Sequence, residues 1–440
     1  MEIQLSEHFD YKKLFKFTFP SIIMMIFTSI YGVIDGFFVS NFAGKTAFTA
    51  VNFVMPVLMI LGSVGFMFGT GGSAIIAKTM GMGKNEEAQK QFSMLVYASA
   101  VSGVILAVLG VAFIRPLTVW LGAEGEMLEQ GVLYATVILA TLPAPILQVA
   151  FQSFFITAEK PDLGLKVTVA AGVANIVLDA LLVPFFGIVG AAVATAVSQI
   201  VGAVIPLVYF ARKNKSTLRI SKPTFNGKVL LDTCVNGSSE LLSNLAMSSV
   251  GMLYNVQLLK YAGEDGVAAY GVLMYVTMIF IAIFLGYAMG SAPIVSYHYG
   301  AENHSELKSL RKKSIVIISS ISVVMLLLAE LLAKPMAMIF ASYDKELFEM
   351  TVQGFYVYSF SFLFCGLGIW SSSFFTALNN GIVSTLISFL RTMVFQVATV
   401  FILPLFFEVN GIWLSVVVGE ALSLVVSFAC LAGLKKKYKY

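Results

Sequence analysis

Long apolar runs separated by short polar breaks organise this 440-residue chain. The runs approach or exceed the roughly 20 residues that carry a helix across about 30 Å of hydrocarbon. Twelve spans are predicted. In the first half they cover residues 15–40, 47–77, 92–114, 132–157, 163–184 and 187–210. In the second half they cover 229–259, 267–297, 314–332, 351–377, 382–405 and 411–431. The most polar linker, ARKNKSTLRISKPTFNGK, lies between the sixth and seventh spans. It divides the chain into residues 1–210, a linker at 211–228, and residues 229–440.

The two halves repeat each other. A shift of 219 positions lays Gly32 on Gly251, Ala43 and Gly44 on Ala262 and Gly263, Gly71 on Gly290 and Gly81 on Gly300. Six spans repeated once, with both copies entering from the same side, form a parallel repeat about an axis along the membrane normal. The expected fold is therefore an all-α membrane protein of twelve helices in two six-helix lobes. A cavity between lobes that rock against each other suits alternating access.

Composition supports the same class. Hydrophobic residues make up 58% and charged residues 12%, too apolar for a soluble chain. With twelve spans both termini share a face, and that face carries 22 of the 28 lysines and arginines, against five on the other and Arg391 within a span. The positive-inside rule then predicts cytoplasmic termini and a multi-pass protein of the cell membrane. Cys234, Cys365 and Cys430 lie in or beside apolar segments at no ligand spacing, so they read as small buried hydrophobes. The first residues, MEIQLSEHFDYKKLFKF, run into a span with no small-residue cleavage site, and no removable signal peptide is expected.

Polar residues inside the spans locate the chemistry, because a carboxylate at membrane depth is costly and marks an ion or substrate path. At 1.5 Å per residue, Asp35 lies about 30 Å and Asp179 about 24 Å from the terminal-face ends of their helices, so the two can meet in the outer half of the bilayer. Tyr31 and Asn175 each sit four residues earlier on the same helical faces, and Thr195 reaches a comparable depth from the other side. No lysine or arginine lies in the spans of this half at that level. Such acids should hold a proton, take a metal cation or bind a cationic substrate. In the second half, Glu240, Arg391 and Glu420 cluster about 14 to 17 Å deep, two acids to one base. Either glutamate could pair with Arg391, leaving the other as a counter-charge or second proton site. Glu330, near a span end, reads as a snorkelling residue. The repeat places Tyr254 opposite Asp35 and Glu420 opposite Gln199, so the lobes are expected to do unequal work.

These features in this order resemble the multidrug and toxic compound extrusion (MATE) family. They are the span from Pro20 to Tyr31-x-x-x-Asp35, AGVANIVLD ending at Asp179, GIVGAAVATAVSQ with Thr195, the Glu240 helix after a basic linker, and GIWLSVVVGE ending at Glu420. The resemblance covers essentially the whole chain. It implies two six-helix lobes in a V and antiport of organic cations against protons or sodium. It also implies a cation site formed by Tyr31, Asp35, Asn175, Asp179 and Thr195, and a role for Glu240; Arg391 is not part of the family pattern. Pro20 would let the first helix bend, and sodium, if used, would sit at Asp35, Asp179 and Asn175. No cofactor beyond the coupling H+ or Na+ is expected. The expected partners are small organic cations and membrane lipid, with no nucleic acid, for a monomeric protein. Two rivals fit less well. A flippase for lipid-linked precursors needs several cavity bases, and only Arg391 is available. An intramembrane enzyme lacks its motifs, since there is no H-E-x-x-H and His8, His298 and His304 all lie outside the spans.

Overall fold

The computed structural model describes residues 3–214, 216–341 and 344–440. Within them the fold is helical, with no strand. Helices answer the absence of water in the bilayer core, because they satisfy every backbone donor and acceptor within the segment. The first half contains α1 (Tyr11–Phe38), α2 (Lys45–Gly62), α3 (Val64–Gly81), α4 (Asn85–Trp120), α5 (Gly125–Ala140), α6 (Pro143–Thr157) and α7 (Pro161–Ala211). The second half contains α8 (Gly227–Gly300), α9 (His304–Ala341), α10 (Lys345–Tyr358), α11 (Phe362–Ala377), α12 (Gly381–Phe389), α13 (Gln396–Ile402), α14 (Pro404–Gly433) and the short α15 (Lys435–Tyr438). Side chains of Asp10, Asn226, Asp344 and Asn380 cap their helices by accepting from backbone N–H groups one turn on.

Among the described residues, nine helical stretches are long and apolar enough to cross a membrane, and α5 with α6, bent by 55°, make a tenth. The bend follows from Pro143, which opens α6 and cannot continue the hydrogen-bond ladder of α5. The fourth span is thus broken, and it begins at Gly125 rather than at residue 132. A straight α7 would be about 76 Å long and a straight α8 about 111 Å, far more than one bilayer. Each instead reverses at one glycine, Gly187 (φ 56°, ψ −132°) and Gly263 (φ 64°, ψ −153°). Glycine has no Cβ to clash in this conformation. Split there, each supplies two of the expected passes. The corresponding reversal in α14 is made by Glu408 (φ 50°, ψ −130°), a conformation that strains a residue with a side chain.

The lobes meet at the end that carries both termini. A Cβ on Gly81 would lie 2.0 Å from the Tyr297 carbonyl oxygen, and one on Gly300 would lie 2.0 Å from that of Lys78. Gly81 and Gly300 are repeat partners, as are Lys78 and Tyr297, so α3 and α8 cross with backbone against backbone in a reciprocal, two-fold-like contact. Toward the other end, the repeat partners Gly32 and Gly251 have nothing within 4 Å of an added Cβ. Ile30, Val33 and Phe37 of α1 and Met252 and Val256 of α8 are exposed there, whereas Thr18, Ser21, Ile22 and Met24 are buried. The molecule therefore closes at its terminal face and splays open at the opposite one.

The N-terminal segment crosses the closed face. Leu5 and Phe9 are fully buried. The Leu5 N–H donates to Glu159 of the first lobe at 2.7 Å, and the Phe9 N–H donates to Glu306 of the second at 3.0 Å. His8 Nδ1 lies 2.6 Å from the other oxygen of Glu306, and the Lys313 ammonium bonds the Phe9 carbonyl. Gly81→Ala should destabilise the protein by about 1–3 kcal/mol through overpacking at the helix crossing, read as a lower melting temperature in detergent. Gly251→Ala, in open space, should leave the melting temperature unchanged; equal effects of the two would contradict the crossing.

Candidate functional site

The first-lobe site is built from three helices. α1 runs unbroken through Pro20 and presents Asp35 3 residues before its end, while α7 presents Asn175 and Asp179 on one face. Gly172, one turn before Asn175, lets α1 approach, since a Cβ there would lie 2.4 Å from Phe27 and 3.0 Å from Tyr31. The side chains of Tyr31 and Asp35 therefore lie along α7. Asp35 is 8% exposed, Asp179 0% and Asn175 1%. The carboxyl groups of Asp35 and Asp179 lie near enough to act on each other's charge, and the Thr195 hydroxyl donates to Asp35 Oδ1 at 3.5 Å.

Hydrogen bonding leaves this cluster incomplete. Both Asp179 oxygens and both side-chain polar atoms of Asn175 are buried without a hydrogen-bond partner. Unpaired buried polar atoms are costly, and a cluster of them can be satisfied by a proton, a cation or water. No basic side chain is ion-paired to either aspartate among the described residues. The oxygens of Asp35, Asp179, Asn175 and Thr195 form a hard donor set of the kind a small cation accepts. Among the described residues no group of three or more His, Cys, Asp or Glu side chains is placed to hold a metal ion.

One member escaped the sequence reading. Tyr134 of α5 is 1% exposed, and its side chain lies beside Thr195 and near enough to Asp35 and Asp179 to feel their charge. With a span start at residue 132, Tyr134 would sit at the membrane surface. The helix in fact starts at Gly125, which puts Tyr134 about 14 Å along it. Glu124 and Glu126 at that helix start were the available signal that it begins earlier, since acids favour the first turn.

In the second lobe, Arg391 pairs with Glu420 rather than Glu240. Its Nε lies 2.9 and 3.2 Å from the two carboxylate oxygens, in a buried setting. Arg391 stands in a π-helical segment, Leu390–Phe395, between α12 and α13. Gly368 of α11 makes room for it, since a Cβ there would lie 3.2 Å from Arg391 Cδ. Glu240 feels the Arg391 charge but makes no hydrogen bond to it. Tyr254, the repeat partner of Asp35, donates to Gln396 at 2.7 Å and stacks on Tyr270, which in turn stacks toward Trp413. The second lobe thus holds an aromatic, hydrogen-bonded cluster where the first holds two acids. Glu330 also differs from the expectation of a snorkelling residue, because the Ser359 hydroxyl donates to its carboxylate.

Comparison with known proteins follows the same two-lobed outline. The chain is 25% identical over 417 residues to the multidrug export protein MepA of Staphylococcus aureus strain MSSA476, covering 94% of this chain and 91% of that one. It is also 25% identical over 406 residues to MepA of Staphylococcus saprophyticus, covering 92% and 88%. It superposes with TM-score 0.93 and 24% identity on a structure described as the outward-facing conformation of a multidrug resistance MATE family transporter of the MOP superfamily, covering 98% and 97%. The MatE family model matches twice in tandem, at residues 20–181 and 241–402. On those two matches, one in each half of the repeat, the chain belongs to the MatE family.

Proposed function

We propose that this chain is a cation-coupled antiporter that exports organic, mostly cationic amphiphilic compounds by alternating access. The carrying observation is the closeness of Asp35 to Asp179 in a buried site with no ion-paired base among the described residues. With the lobes open away from the terminal face, a proton or a sodium ion binds the pair and lowers its negative charge by one. The cavity then loses its attraction for a cationic drug, which leaves. Closure on that side and separation of α3 from α8 on the other release the ion and admit the next substrate. Thr195 holds Asp35 by its hydrogen bond, and Tyr31, Asn175, Thr195 and Tyr134 supply oxygens to the ion. Pro20 is the point in α1 where a helix without one backbone donor bends most easily. Aromatic and methionine walls receive substrates of varied shape, and aromatic faces attract quaternary ammonium groups. The export named in the MepA relatives agrees with this reading.

The second-lobe charges argue against an anionic cargo. Arg391 is taken up by Glu420, and Glu240 adds an acid rather than a base, so a pyrophosphate headgroup finds no free base there. Breaking a buried pair by removing one partner costs about 3–5 kcal/mol, whereas well-packed apolar replacement of both is often neutral. Glu420→Gln should therefore lower the melting temperature more than the double variant Arg391→Met with Glu420→Leu; the reverse order would show the pair to be maintained for something other than packing.

For transport, cells expressing Asp35→Asn or Asp179→Asn should retain ethidium as cells without the protein do, at unchanged expression. Tyr134→Phe, which removes one hydroxyl, should slow efflux by about three- to tenfold. Efflux by the aspartate variants at the wild-type rate would sink the antiporter reading. In proteoliposomes, an inward gradient of H+ or of Na+ should drive export of a monovalent cation. One-for-one exchange moves no net charge and should not respond to a membrane potential, although each uncompensated charge would gain about 2.3 kcal/mol per 100 mV. Transport indifferent to both ion gradients would reject coupling.

A further inference from the structure

The start of α9 carries a feature that the transport cycle does not use. Lys308, Arg311, Lys312, Ile315 and Val316 follow the i, i+3, i+4, i+7, i+8 spacing of one helical face. The face begins basic and turns apolar as the helix enters the membrane, where Val316 is 45% exposed. Together with Lys435 and Tyr440 from the C-terminal segment, it encloses a cavity of about 430 Å³.

The cavity is built rather than a loose patch of surface charge. Tyr440 is fully buried, and its hydroxyl donates to the Leu431 carbonyl at 3.0 Å. The Arg311 guanidinium carbon lies 5.3 Å from the centre of the fixed Tyr440 ring. Arg311 Nε is buried and has no acceptor. Among the described residues, none of the four bases is ion-paired. Glu306, the nearest acid on the same helix, is engaged by His8 and the Phe9 N–H. Four bases with no ion-pair partner among the described residues suit a phosphate. The apolar continuation along Ile315 and Val316 has no use for a free anion but lies where an acyl chain would run. We infer that this cavity binds an anionic phospholipid of the leaflet on the terminal face, with its phosphate among Lys308, Arg311, Lys312 and Lys435 and one acyl chain along Ile315 and Val316. The bound lipid joins the start of α9 to the C-terminal segment, next to the strap that holds the lobes closed.

The test uses the full chain, purified in detergent and supplied with dioleoylphosphatidylglycerol, dioleoylphosphatidylcholine or inorganic phosphate. Native mass spectrometry counts retained lipid, and thermal denaturation reads stabilisation. Phosphatidylglycerol should be retained and should raise the melting temperature, while phosphatidylcholine should do neither. Lys308→Gln with Lys312→Gln, both exposed positions, should weaken retention about thirtyfold, at about 1 kcal/mol per basic residue. Lys12→Gln with Lys16→Gln removes the same charge at the same membrane level away from the cavity and should change retention less than twofold. Equal losses in the two double variants would reduce the site to diffuse surface charge and overturn the proposal. So would retention of phosphatidylcholine to the same extent. Stabilisation by inorganic phosphate alone, matching that by phosphatidylglycerol, would make the cavity a free-anion site and reject the lipid.

Discussion

Two carboxyl groups brought together in the wall of the first lobe, with no basic side chain ion-paired to either among the described residues, are the constraint around which the first half is arranged. Two adjacent negative charges in a low-dielectric wall repel strongly, and a proton or cation shared between them would relieve that repulsion. The neighbours fit that requirement. Thr195 can donate, Asn175 offers both a donor and an acceptor, and Tyr134 and Tyr31 close the sides without adding charge. Nothing in the cluster is a permanent counter-ion, so its charge state stays responsive to what arrives from outside.

The second lobe shows what the same framework becomes once that constraint is lifted. At the repeat position of Asp35 stands Tyr254, satisfied by Gln396 and stacked on Tyr270. Its one intramembrane base is neutralised by Glu420 across two helices. Such a lobe has less reason to change its protonation during a cycle. Duplication therefore preserved the scaffold, while the electrostatics of the two copies diverged.

Much of this was legible in the chain because membrane insertion imposes strong rules. Apolar run lengths located the passes, and depth counting at 1.5 Å per residue placed Asp35 near Asp179 and Arg391 near Glu420. Depth counting failed where a boundary was misread, as for Tyr134. A helix extending beyond the apolar run is anchored by capping and tertiary packing, and hydropathy does not register either. The choice of Glu420 over Glu240 depended on the placement of side chains around Arg391, which stands in a π-helical turn, a backbone detail with no signature in hydropathy. The Ser359 contact of Glu330 needed two helices to be placed side by side before it could be seen.

The strap formed by Leu5, His8 and Phe9 has one end on Glu159 and the other on Glu306, acids that belong to different lobes. Any swing that parts the lobes on this face must stretch that tether or let go of one anchor. Residues 3–10 are then a moving part in their own right, and a load placed on them would act on the hinge directly.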